Sequence, residues 1–281
     1  MASIAFVTDS ASDLDPAQAA ADGIRIVALS VTFGDESFRA GVELSADDFW
    51  KRMTAPNAPF PKTAASSPGE FKAVYDEAFA AGADAIVSIH VSGKLSAAIR
   101  SAELAKGMLP DREIHIVDSA GASMAEGILA YMGLEMAKMG VSAEEIARVL
   151  RDRTTDLRMY VSLETLEYLR KGGRISGAQA AIGTLLSFKP IIAVEDGVVE
   201  SVERPRTRAK SRERCIELIC ARPIERLAIL HTMAPDVDEF RDEVIRRSGV
   251  DPATVMVSIV GPSVGPHLGP GCVGAAVLYK R

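Results

Sequence analysis

Hydroxyl and carboxylate side chains collect where apolar runs end in this chain. SIAFV runs into Thr8-Asp9-Ser10, EIHIV into Asp118-Ser119, and DAIVSIHV into Ser92-Gly93, with Ser96 close behind. Thr63 stands just ahead of Ser67, which reads as a helix N-cap followed by Pro68 and, three residues on, Glu70. Open parallel sheets bind ligands at the carboxyl ends of their strands, and free N–H groups at helix N-termini favour an anion. Most Ser and Asp residues in such places only cap or turn the chain, and this is the expectation for Asp9, Ser10, Asp118 and Ser119. Thr63 and Ser96, each beside a helix start, are the candidates for an anion site.

Cations supply the other half of such a site. Arg174 follows two glycines in KGGRIS, and RPRTRAKSRER places six cations between Arg204 and Arg214. A charge run of this kind is usually a solvated helix face, but Arg206 sits between a proline and the helix start, which fixes its position. His267 lies in GPHLGPGCVG, a loop of prolines and glycines that calls for no structural imidazole. GPGCVG matches the dinucleotide fingerprint G-x-G-x-x-G, yet only AAVLYKR follows it, which reads as a last strand. The fingerprint needs a helix there and an acidic residue about 20 positions on, so it is rejected.

No nucleophile elbow, H-E-x-x-H or P-loop occurs. Hydroxyls, helix ends, arginines and one histidine in an aliphatic chain suit binding a carboxylate or phosphate with an apolar tail better than they suit turnover. Two competing classes stay open. One is an enzyme in which Asp9 and Asp118 together hold Mg²⁺ for phosphate chemistry. The other is a lipid-responsive regulator.

The elements that must position these residues are legible in outline. The first half alternates strands and helices, with IRIVALSVTF as a second strand, and predicts a mostly parallel sheet flanked by helices. The second half predicts a mixed sheet with helices, including a hairpin KPIIAVEDGVVESVE turning at Asp196-Gly197. The fold class is therefore α/β in two domains, residues 1–155 and 156–281. The chain has 281 residues, 48% hydrophobic and only 5% aromatic, with net charge −6. That acidity argues against nucleic acid as a partner. Cys215, Cys220 and Cys272 have no metal spacing and read as thiols in a reducing cytosol. No signal peptide or apolar run of membrane-spanning length is seen.

VTDSASDL, PKTAASSPGEF, LSAAIRSA, the VDS strand end, YLRKGGRISGAQAAIGTLLSFKPII, PRTRAKS and GPHLGPGCVG occur in this order. In this the chain resembles the DegV family from end to end. The resemblance implies two α/β domains enclosing a long-chain fatty acid, which is presented to the catalytic subunit of a bacterial fatty acid kinase. It implies no catalytic residues, no metal and no cofactor of the chain's own, a cytoplasmic location, and at most transient contact with a membrane surface. It assigns the fatty acid carboxylate to Thr63, Ser96 and His267. Arg174 and Arg206 would face the kinase or stabilise phosphate. TAASS stands here where the family has TSQPS, and SGKLSAA where it has SSxLSGT.

Overall fold

The computed structural model describes residues 3–175 and 188–281. Strands β1 (Ile4–Asp9), β2 (Ile24–Val27), β3 (Ser30–Phe33), β4 (Glu36–Arg39), β5 (Lys62–Ala64), β6 (Ala85–His90) and β7 (Glu113–Asp118) fall in the first half. Strands β8 (Leu157–Ser162), β9 (Ile191–Glu195), β10 (Val198–Glu203), β11 (Ile224–His231), β12 (Met256–Ile259) and β13 (Val273–Tyr279) follow. The helices are α1 (Pro16–Asp22), α2 (Ala46–Met53), α3 (Pro68–Ala80), α4 (Ala98–Gly107), α5 (Met124–Lys138), α6 (Ala143–Arg153), α7 (Glu167–Lys171), α8 (Arg208–Ile219), α9 (Val237–Ser248) and α10 (Gly265–Leu268).

Three sheets result. The first is parallel, in the order β2-β1-β6-β7, and the second is mixed, in the order β10-β9-β8-β13-β11-β12. This is the α/β architecture read from the sequence. Central strand β6 is buried along its whole length, as a parallel strand covered on both faces must be. Local chemistry starts and stops the elements as expected. Ser67 and Glu70 form a complete capping box on α3. Asp196 and Gly197 both take positive φ, 48° and 77°, which matches the twist a two-residue hairpin turn needs.

The third sheet, β4-β3-β5, is antiparallel and departs from expectation. IRIVALSVTF is not one strand. It breaks at Ala28-Leu29, where Ser10 Oγ accepts the Leu29 N–H at 2.9 Å and the Leu29 carbonyl accepts from Ala40 N. Its two halves enter different sheets, and residues 36–53, which suggested no element, supply β4 and α2. Residues 176–187, where the sequence ahead of the hairpin reads as a helical stretch, lie outside the described residues.

Helix α5 packs against β1 and β6 of the first sheet and against β11 and β13 of the second. Its residues from Met124 to Ala130 are all buried, Glu126 among them, so it is enclosed on every side, as a helix between two layers must be. The main apolar core accordingly draws on both halves, joining Ile86 and Leu129 to Met159 and Ile192. Polar strand-end residues tie the halves together. Ser10 Oγ lies 2.8 Å from Ser263 Oγ, Gly261 N donates to Asp13 Oδ1 at 2.8 Å, and Ser92 Oγ donates to the Gly197 carbonyl at 2.9 Å.

Candidate functional site

A cavity lined by residues of both halves of the chain has about 640 Å³ of atom-free space, its mouth included. Leu29, Val91, Met159, Ile192, Val194 and Val199 contribute to its aliphatic walls. The polar groups that line it are Thr63, Ser96, Arg174, Ser263 and His267. Four of these five were singled out from the sequence, and the fold brings them together from segments as much as 204 residues apart.

Each is positioned by a different device. Thr63 is not in a loop; it sits in β5, paired with Val31 of β3. A three-residue strand between prolines carries no periodicity, so only its partner reveals it. Ser96 precedes α4 rather than belonging to its first turn, and its Oγ accepts the Ala98 N–H at 3.2 Å. His267 is not in an irregular loop either. It lies in α10, one helical turn with Pro266 at its start, where the ring's fixed φ suits the first turn.

The imidazole of His267 is held on two sides. Its Nε2 lies 3.1 Å from Thr63 Oγ1. Its Nδ1 is buried and has no partner among the described residues. Hydroxyl and imidazole can each donate or accept in this contact, so the tautomer sets its direction; with the proton on Nε2 the Thr63 hydroxyl hydrogen is free to donate elsewhere. Burial first, and the Arg174 charge second, push the His267 pKa down to about 4. The ring is thus neutral at pH 7.

Gly172 explains the double glycine ahead of Arg174. A Cβ there would fall 2.1 Å from His267 Nδ1, so only a bare backbone lets the imidazole into place. Gly172 has φ of −78°, so close approach and not backbone freedom is the requirement. Gly269, at φ 75°, serves both needs, because a Cβ would also strike the Tyr168 ring at 2.2 Å. Arg174 then turns back over the site. Its guanidinium donates to the Gly172 carbonyl at 2.6 Å and to the Leu95 carbonyl at 3.3 Å. Among the described residues lining the cavity it is the one charged group. Arg206 is exposed and does not line the cavity.

Two residues with no sequence signal complete the frame. Ser263 lies four positions before His267 and lines the cavity. Arg212 was one cation in a run, yet it is buried. It donates to the Gly271 carbonyl at 2.8 Å and the Ser162 carbonyl at 3.0 Å, and it pairs with Asp236 at 3.1 Å. It thereby pins the glycine loop behind α10.

The paired-aspartate reading fails on geometry. Parallel register places Asp118 beside His90, with β6 between β1 and β7. Asp9 and Asp118 are therefore two strand spacings apart, about 10 Å. Asp118 is exposed and bonds the Ala120 and Gly93 amides, while Asp9 is wholly buried and bonds Ala11 N. Ser88, His90 and Asp9 do form a hydroxyl–imidazole–carboxylate series. All three are buried and none lines the cavity, so no substrate carbonyl can reach that serine.

Residues 3–280 match the family model for uncharacterised proteins of the DegV family. A DegV domain-containing protein of Streptomyces coelicolor is 33% identical over 290 residues, covering 99% of each chain. A DegV family protein from Thermus thermophilus, described for its fatty acid binding, superposes with a TM-score of 0.90 at 34% identity, over 99% of this chain and 100% of that one. DegV of Bacillus subtilis, a fatty acid binding protein, gives 0.88 at 30% identity over the whole of both chains.

Proposed function

This chain belongs to the DegV family, and on that premise we propose that it binds a long-chain fatty acid and presents the carboxylate to a partner kinase for acyl-phosphate formation. The observation that carries the reading is the composition of one cavity: aliphatic walls with Thr63, Ser96, Arg174, Ser263 and His267 as its polar groups. Aliphatic walls with a few polar groups suit an apolar chain that carries one anionic head. Burying each methylene contributes about 0.8 kcal/mol, so a chain with ~14 of them gains roughly 11 kcal/mol before ordering costs. The head group then needs positioning more than strong binding.

In this reading Thr63 and Ser96 donate to the carboxylate. His267 acts on it through Thr63, whose hydroxyl lies 3.1 Å from its Nε2; with the proton on Nε2 the threonine hydrogen is left for the carboxylate. A neutral imidazole and two hydroxyls leave the carboxylate nucleophilic, while Arg174 supplies a single compensating charge. The exposed Arg206 belongs to the face that meets the kinase. Residues 1–155 and 156–281 act as two domains with the ligand between them. No helix among the described residues is long and apolar enough to cross a membrane, which fits a cytoplasmic carrier that meets a membrane surface only in passing.

The test is mass spectrometry of lipid extracted from purified protein. One equivalent of a long-chain fatty acid is expected, or its uptake when supplied to delipidated protein. Repeated extraction without lipid, together with no uptake, would sink the proposal. Phosphorylation of the bound acid by a purified fatty acid kinase subunit tests the second half separately.

A further inference from the structure

Beneath the wall of this cavity lies a cluster that ligand binding does not use. Asp9 ends β1, His90 ends β6, and Glu126 is in the first turn of α5. Each is completely buried. One ligand-capable atom from each lies within 4.8 Å of the other two. We propose that Asp9, His90 and Glu126 form a structural site for one divalent transition-metal ion, with Zn²⁺ the best match to its donors.

Three features point to an ion. The first is an unmet need. Glu126 Oε2 is buried with no partner among the described residues, and such an oxygen is costly to leave bare. Two carboxyl groups face a single imidazole, all completely buried, and any charge held there has to be compensated locally. A divalent cation supplies that compensation and takes the lone oxygen as a ligand.

The second is the donor set. One imidazole nitrogen and two carboxylate oxygens are ordinary zinc ligands, and Mn²⁺ would accept them as well. His90 Nδ1 and Asp9 Oδ2 are 3.1 Å apart, sharing a proton that a metal ion would replace.

The third is the support behind each ligand. Metal-binding histidines are oriented through their other ring nitrogen. His90 Nε2 lies 2.6 Å from Ser88 Oγ, which in turn lies 2.9 Å from Tyr75 OH. Asp9 accepts from Ala11 N at 2.9 Å and Val91 N at 3.3 Å. Glu126 Oε1 accepts from the Thr8 hydroxyl and from Asp9 N. The ion would staple β1, β6 and α5 together. Ala11 and Val91, which bond Asp9 from behind, line the acyl cavity, so the staple would also stiffen that wall.

The experiment uses the full chain, stripped of metal by chelator during refolding, with ZnCl₂, MnCl₂ and MgCl₂ as probes. Expected are near-stoichiometric zinc in untreated protein by elemental analysis and a zinc-dependent rise in Tm of about 5 °C or more. Co²⁺ should give visible absorption bands that Zn²⁺ abolishes. Glu126→Gln keeps the shape and should lose the Tm response and the Co²⁺ bands. Should that variant fail to fold, the Co²⁺ titration of wild type decides by itself. Metal-free purified protein that shows neither a Tm response nor Co²⁺ bands overturns the proposal. Wild-type behaviour retained in Glu126→Gln overturns the assignment of Glu126. Neither result depends on whether a fatty acid is bound.

Discussion

Gly172→Ala is the sharpest probe of the head-group site, because the residue touches His267 and nothing about its backbone objects to alanine. Its φ of −78° and ψ of −7° lie in the helical region, so the substitution brings no torsional strain. The new Cβ would stand 2.1 Å from His267 Nδ1 and 2.8 Å from Cε1. Carbon–nitrogen contact needs roughly 3.5 Å, so the imidazole must retreat by over 1 Å and give up its bond to Thr63. Overpacking of this kind costs about 1–3 kcal/mol, and the lost hydrogen bond about 1 kcal/mol. Tm should fall, and affinity for a fluorescent fatty acid should drop by roughly 5- to 30-fold as Thr63 loses its orientation. The companion variant Gly173→Ala separates packing from backbone. Gly173 has φ of 67° with nothing near its Cβ position, so alanine there costs about 1 kcal/mol of stability and leaves ligand affinity alone. Ring ¹⁵N shifts of His267 should move in the first variant and not in the second. If Gly172→Ala binds the fatty acid like wild type with unchanged imidazole shifts, the account of His267 is wrong.

Thr63→Val keeps the shape and removes the hydroxyl, so it should weaken fatty acid binding by about 10- to 100-fold while β5 stays paired; calorimetric affinity within twofold of wild type would remove Thr63 from the site. Asp13→Asn concerns stability. Burial, only partly offset by bonds from Ser123 and Gly261, raises the Asp13 pKa from 3.8 to about 7. Between those two values the native chain holds a proton that the unfolded chain releases, so stability falls as pH rises through the window, by about 4 kcal/mol in all. The asparagine variant should lose that part of the slope between pH 4 and pH 7 in denaturant melts, and an unaltered slope would assign it elsewhere.

Much of the fold was readable because its signals are local. Ser67 and Glu70 define a helix start through bonds to their own turn, and Asp196-Gly197 defines a hairpin through its own torsions. The motif residues Thr63, Ser96, Arg174 and His267 could be named one by one, and they do line one cavity. Their surroundings were less legible. Thr63 looked like loop because the partner that makes it a strand, Val31, lies 32 positions earlier in the chain. Ala28-Leu29 looked like mid-strand because its break depends on Ser10 and Ala40.

Residue type and spacing thus determined the alternation of strands and helices, the caps and turns, and the inventory of an anion site with an apolar tail. Torsional preference and periodicity act within a few neighbours, so one chain displays them. Only the tertiary structure decided that Arg212 leaves its charged run to clamp the Gly271 carbonyl, that Gly172 is bare to admit an imidazole, and that Asp9 meets His90 and Glu126 instead of Asp118. Those outcomes depend on which strands become neighbours and on atoms excluded from the same few ångströms, and no pattern along the sequence encodes either.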